Sequence, residues 1–187
     1  MNSPVRVAVG LGSNLGQRKR ILLDAWQRLS GEENIEPVAI SPPYESVPLG
    51  MESEHLFLNA AGIVDTTLAP IALLRLFQQV EADFGRQPRQ SDSGYQDRLL
   101  DLDILYYGDM VHASAELVVP HPEIRHRLFV LAPLVDLIPD FIDPLQRVSV
   151  TAMHQRLLAR ILNGQCGEQK IVRDGWGDKD QDTVMNP

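Results

Sequence analysis

The sequence predicts an α+β domain, with helices packed on a mainly antiparallel sheet, and three observations carry that expectation. Strand-like and helix-like stretches follow the order β-α-β-β-α-β-β before two further helical stretches, which is not the strict alternation of a parallel sheet. Gly108-Asp109 lies directly after the strongest strand and supplies a tight reversal, the connection that antiparallel strands use. The 187 residues, 44% apolar and 22% charged, suffice for one core of ordinary globular composition.

Val5-Arg6-Val7-Ala8-Val9 alternates weakly and is rich in β-branched side chains, as a first strand should be. Gly10-Leu11-Gly12-Ser13-Asn14 is expected to break it, with Gly12 permitting a backbone turn and Ser13 or Asn14 serving as a cap or loop clasp. Leu22, Ala25, Trp26 and Leu29 then fall at i, i+3, i+4 and i+7, so a first helix follows and Gly31 ends it. Val38-Ala39-Ile40-Ser41 reads as a short second strand stopped by Pro42-Pro43.

Residues 42–55 hold three prolines, one glycine and three glutamates and read as a long loop, a feature compact domains keep chiefly for function. Residues 57–64 form the next strand. Pro70 suits a first helical turn, and Ile71, Leu73, Leu74, Phe77 and Val80 make the apolar stripe of a second helix that Gly85 ends. A second polar stretch spans 86–97. Residues 99–107 are the strongest strand, with Leu117-Val118-Val119 as its expected antiparallel partner. Residues 130–138 and 150–162 are apolar enough for helices, the latter capped by Ser149. From Gly164 the periodicity disappears, so residues 1–163 are expected as the domain and 164–187 as a flexible extension, on which Ile171, Val172 and Trp176 could still dock.

Seventeen Lys and Arg against 25 Asp and Glu leave a net charge of −8, which argues against a duplex nucleic-acid binder. No apolar run reaches the roughly 18 residues of a membrane span, and the N-terminus lacks the features of a secretory signal. Cys166 is the single cysteine, which excludes an internal disulfide and a Cys-rich metal site and makes the cytoplasm the expected location.

Arg98-Leu99-Leu100-Asp101-Leu102-Asp103-Ile104-Leu105 carries the clearest chemistry. On a strand Asp101 and Asp103 project from one face and Leu102 and Ile104 from the other. Paired carboxylates repel unless a cation neutralises them, and Mg²⁺ takes such oxygens together with substrate phosphates. The alternative is the solvated face of an amphipathic strand, although Asp is a poor strand former. Arg86, Arg89 and Arg98 precede the pair; His121, Arg125, His126 and Arg127 follow the expected hairpin partner. Guanidinium forks suit phosphate oxygens, but each arginine could equally neutralise Asp92, Asp97 or Glu123. Phe57 and Asn59 share one strand face and could stack on a flat heterocycle and bond its edge, or be a core aromatic and a strand-end polar residue. Phe129 on its own reads as core.

In chain order, Gly12-Ser13-Asn14-Leu15, Tyr44 through Pro48-Leu49-Gly50, Phe57-Leu58-Asn59-Ala60, the helix around Gln78 and Glu81, Gly85-Arg86, the Asp-pair strand and Val119-Pro120-His121-Pro122 through Phe129 resemble the 6-hydroxymethyl-7,8-dihydropterin pyrophosphokinases of folate biosynthesis. The resemblance covers about residues 5–160. It implies a ferredoxin-like core in three layers, α/β/α, acting on ATP and 6-hydroxymethyl-7,8-dihydropterin. Apart from the resemblance, the lack of any extra apolar surface pattern makes a monomer the expectation, and charge and hydropathy leave no nucleic-acid or membrane partner expected. Arg86, Arg98, Asp101 and Asp103 would be catalytic, and the two aspartates would hold two Mg²⁺ ions. Ser46, Leu49, Phe57, Asn59 and Phe129 would bind the pterin. Gln78, Glu81, Arg89, Tyr95, Ile104, His121, Pro122 and Arg127 would line the nucleotide site. Tyr95-Gln96-Asp97 stands where family members usually carry Trp-Gly-Pro. The alternatives are a degenerate relative that binds a pterin without catalysis and a ferredoxin-like binding module.

Overall fold

The central strand β1 (Val5–Ser13) sets the geometry of the sheet. The computed structural model of the chain describes residues 3–50, 53–85 and 97–177. β1 is followed by α1 (Arg18–Ser30), β2 (Ile35–Ile40), β3 (Tyr44–Ser46), β4 (Phe57–Thr66), α2 (Pro70–Asp83) and β5 (Asp101–Tyr107). A two-stranded ribbon comes next, β6 (His112–Ala113) with β7 (Val118–Val119), then a 3₁₀ turn (Ile124–His126), α3 (Leu128–Leu137), α4 (Val150–Leu162) and β8 (Ile171–Arg173).

The main sheet runs β5-β1-β4-β3-β8, with β2 also paired to β4, and every one of these ladders is antiparallel. β1 and β2 therefore flank β4, and β4 and β5 flank β1, the interleaving of a ferredoxin-like core. Alternation decides which layer each side chain enters. Val7, Val9 and Leu11 of β1 meet Leu22 and Leu29 of α1 and Leu73 and Phe77 of α2 on one face. Ala8, Ile63 and Leu105 meet Leu128, Leu131 and Leu134 of α3 and Met153 and Leu157 of α4 on the other. The result is three layers, α/β/α. Each fully buried Leu or Phe contributes about 1.5–3 kcal/mol relative to exposure. Gly62 is required by α1: a Cβ there would lie 2.3 Å from the Trp26 ring.

Four local expectations are corrected. β1 continues through Gly10-Leu11-Gly12 to Ser13 because β4 and β5 pair both its edges, so Gly12 is a strand residue rather than a turn. Within the expected loop 42–55, Tyr44–Ser46 forms β3 against Asn59, Leu58 and Phe57. The partner of β5 is β1; β7 pairs β6, although His121 N–H donates to Leu105 O at 2.9 Å. Part of the expected flexible extension is built into the sheet, because β3 offers an open edge that β8 fills and Trp176 packs on the α1 side. Pro70 at the first helical position, Gly85 after α2 at φ 88° and Ser149 capping α4 by accepting Ala152 N–H at 3.1 Å follow the sequence reading.

Candidate active site

One row of small residues makes room for a cleft. The positions of β1 that face the α3 side are Ala8, Gly10 and Gly12, while their large neighbours point into the opposite core. Register sets Gly12 between Asn59 of β4 and Asp101 of β5, and Gly10 beside Asp103. A Cβ on Gly12 would stand 3.4 Å from Asn59 Oδ1 and 3.7 Å from Asp101 Cβ. Over this floor opens a cleft lined among others by Ser46, Leu49, Phe57, Asn59, Arg98, Asp101, Asp103, Arg127 and Phe129. Gly10 and Gly12 are the site residues that sequence reasoning missed; the signal was the alternation of large and small side chains from Val7 to Gly12.

At one end β5 points both carboxylates into the cleft. Burial and the neighbouring Asp101 raise the pKa of Asp103, and His121, Arg127 and Arg98 only partly oppose them. Arg98 Nη1 lies 2.9 Å from Asp101 Oδ1, so one cation already answers one carboxylate. Arg98 is buried and held by Asn14, whose Oδ1 accepts Arg98 N–H at 2.7 Å and whose N–H donates to Arg98 O at 3.2 Å. Asn14 Nδ2 also donates to Asp97 Oδ1 at 2.6 Å, making Asn14 the expected loop clasp. Asp97 further accepts the Ser53 hydroxyl at 2.6 Å, and that bond holds its carboxyl below the usual carboxylate range.

At the other end Phe57 and Phe129 wall the cleft with Asn59 between β1 and β3. Asn59 Nδ2 donates to Ser46 Oγ at 3.0 Å, which fixes the carboxamide. The Arg127 guanidinium stands 5.7 Å from the centre of the Phe129 ring, within cation–π range.

The nucleotide candidates are only partly gathered. Arg127 lines the cleft, and His121 stands close enough to act on Asp103. Pro122 follows His121 and is exposed. Gln78 is exposed on α2, whereas Glu81 is buried and accepts Leu102 N–H at 2.8 Å, which pins α2 to β5. Ile104 is 2% exposed in the α1/α2 core, on the opposite face from the aspartates, so its side chain does not line the cleft. Arg86, Arg89 and Tyr95 lie outside the described residues. No described group of three or more His, Cys, Asp or Glu forms a metal cage, so a cation here would rest on two carboxylates and its substrate, as Mg²⁺ does.

The family model for 7,8-dihydro-6-hydroxymethylpterin-pyrophosphokinase (HPPK) matches residues 8–139. The 2-amino-4-hydroxy-6-hydroxymethyldihydropteridine pyrophosphokinase of Pseudomonas aeruginosa is 42% identical over 138 residues, covering 72% of this chain and 82% of that protein. Folic acid synthesis protein fol1 of Pneumocystis carinii is 36% identical over 152 residues, covering 81% of this chain but only 20% of that longer protein. Among solved structures, wild-type HPPK-DHPS of Plasmodium falciparum with pteroate matches 88% of this chain and 46% of that one at a TM-score of 0.71 and 13% identity, a likeness of fold.

Proposed function

The chain belongs to the 7,8-dihydro-6-hydroxymethylpterin-pyrophosphokinase family and is a pyrophosphokinase of folate synthesis; we propose that it takes the pyrophosphoryl group from ATP, using two Mg²⁺ ions, and that the cleft is where transfer occurs. The hydroxymethyl oxygen of 6-hydroxymethyl-7,8-dihydropterin forms a bond to the β-phosphorus as the bond to the bridging oxygen of AMP breaks, and the hydroxyl proton is released. The observation that carries this proposal is a single cleft lined by an aromatic pair with a carboxamide and by an acidic pair with arginines.

In such a transfer little covalent work falls to the protein, and positioning and charge dominate. Phe57 and Phe129 stack the pterin, Asn59 bonds its edge, and Ser46 and Leu49 complete that wall. Arg98 and Arg127 neutralise the transferring phosphates, with Arg86 as a second catalytic arginine. Asp101 and Asp103 hold the Mg²⁺ ions, an assignment supported by the two adjacent carboxylates and by the raised pKa of Asp103. Bound there, the ions would withdraw negative charge from the phosphate oxygens. Gln78, Glu81, Arg89, Tyr95, the Ile104 backbone, His121 and Pro122 serve the nucleotide. One chain supplies both cleft walls, so the site needs no second copy, which is in keeping with a monomer, and the lone Cys166 suits the cytoplasm.

Incubation of the protein with ATP, Mg²⁺ and the hydroxymethyl dihydropterin is expected to yield AMP in proportion to pterin consumed. Pterin binding without AMP would leave a binding protein and overturn the proposal.

A further inference from the structure

The segment after α4 reaches both walls of the pterin end of the cleft. On β3, Tyr44, Glu45 and Ser46 pair with Arg173, Val172 and Ile171, and Val47 N–H donates to Lys170 O at 3.4 Å. On α3, the side chain of Gln169 takes two backbone groups at once. Its Oε1 accepts Leu128 N–H at 2.8 Å and its Nε2 donates to His126 O at 2.7 Å. Leu128 is the first helical residue of α3, and its N–H has no partner within the helix. The N-cap position, Arg127, supplies no side-chain cap, so Gln169 does so from 41 residues away. Phe129 is the next residue. A small recess beside the main cleft is bounded by Ser46, Leu49 and Phe129 together with Gln169 and Ile171, which puts the segment directly behind the wall residues. The far end is tied down independently: Asp174 pairs with Lys19 at 3.1 Å, and Trp176 Nε1 donates to Ser41 O at 3.0 Å.

We propose that Gln169 is a positioning residue of the pterin site, holding the first turn of α3 so that Phe129 stays registered against Ser46 on β3. The proposal rests on the pterin assignment above and lies outside the span 8–139 that the family model matches. Gln169 touches no reacting atom; it acts through the backbone of residues 126–128.

Binding of 6-hydroxymethylpterin, followed by its fluorescence, tests this in the full chain alongside melting temperature and steady-state kinetics. Gln169→Leu removes both bonds and is expected to weaken pterin binding and raise the pterin KM about tenfold, a misplacement effect, while the melting transition stays cooperative. Gln169→Glu keeps the acceptor for Leu128 N–H and loses the donor to His126 O, so it should fall between Gln169→Leu and wild type. Arg173→Ala removes a pair with Asp136, 3.4 Å, on the same segment but leaves the clamp, and should lower the melting temperature without moving pterin affinity. Wild-type pterin affinity in both Gln169 variants, or an equal loss in Arg173→Ala, would overturn the positioning role. Failure of the wild-type protein itself to bind pterin would instead remove the site assignment and this proposal with it.

Discussion

At the residue scale, the side chains that organise the site differ from those that do its chemistry. Asn14 uses both ends of its carboxamide and its own N–H on residues 97 and 98, and through them aims Arg98 at Asp101. Asn14→Ala is expected to destabilise the chain by about 1–3 kcal/mol, since Arg98 N–H stays buried without its acceptor. The same change should reduce kcat about 10-fold or more as Arg98 drifts from the phosphates, with pterin affinity little changed. Thermal denaturation and a kinetic comparison with wild type check both parts; a variant with full kcat would show that the clasp does not serve Arg98. The acidic pair was legible because two aspartates inside an otherwise strong strand violate strand preference. Asn14 was legible only as some clasp, for its partners lie 83 and 84 residues away and leave no local pattern.

At the element scale, β1 decides where substrates fit. Gly10 and Gly12 leave its cleft face bare, while Ala8 packs under α3 and Val7, Val9 and Leu11 fill the opposite core. Gly12 has no positive φ, so a side chain there strains no backbone and instead fills the floor between Asn59 and Asp101. Gly12→Val should therefore fold with a melting temperature near that of wild type yet lose pterin binding by about 10-fold or more, in keeping with the penalty for overfilling a packed space. Calorimetric titration with pterin measures it, and undiminished affinity would place the ligand elsewhere. The long elements are readable in the sequence for two reasons: α1, α2 and α4 each bury one face at the helical period, and β1, β4 and β5 are short, largely apolar runs buried on both faces. β3 and β8 are not. Each is three residues long, and Tyr44-Glu45-Ser46 sits between prolines with no apolar alternation; only the open edge of β4, and then of β3, makes them strands. From Asp101 to Leu105 the side-chain faces of β5 alternate, which places the Ile104 side chain in the core and leaves its backbone for the nucleotide; the register shift opposite Ala8 and Val9 then puts Leu105 and Tyr106 on one face.

At the scale of the whole molecule, two helical layers insulate the sheet on both sides, and the cleft survives only where the α3/α4 layer meets the bare row of β1. The acidic end is built by β5 and the clasped residues 97–98, the aromatic end by β4, β3 and the start of α3, so distant segments of one chain share one cavity. That convergence belongs to sheet order, which no stretch of sequence announces by itself; family resemblance named the participants, and register explains why they meet. The desolvated Asp103 facing Asp101 is the least comfortable charge in the cleft and the one that a divalent cation would relieve most. Asp103→Asn removes the repulsion while keeping shape, so it should melt no lower than wild type. The most direct test is the initial rate of AMP release by Asp103→Asn and wild type at saturating Mg²⁺, ATP and pterin: a loss of about 10²-fold or more in a fully folded variant is predicted, as for removal of one electrostatic partner of a transition state. A rate equal to wild type would contradict the assignment of the β5 carboxylates to the transfer.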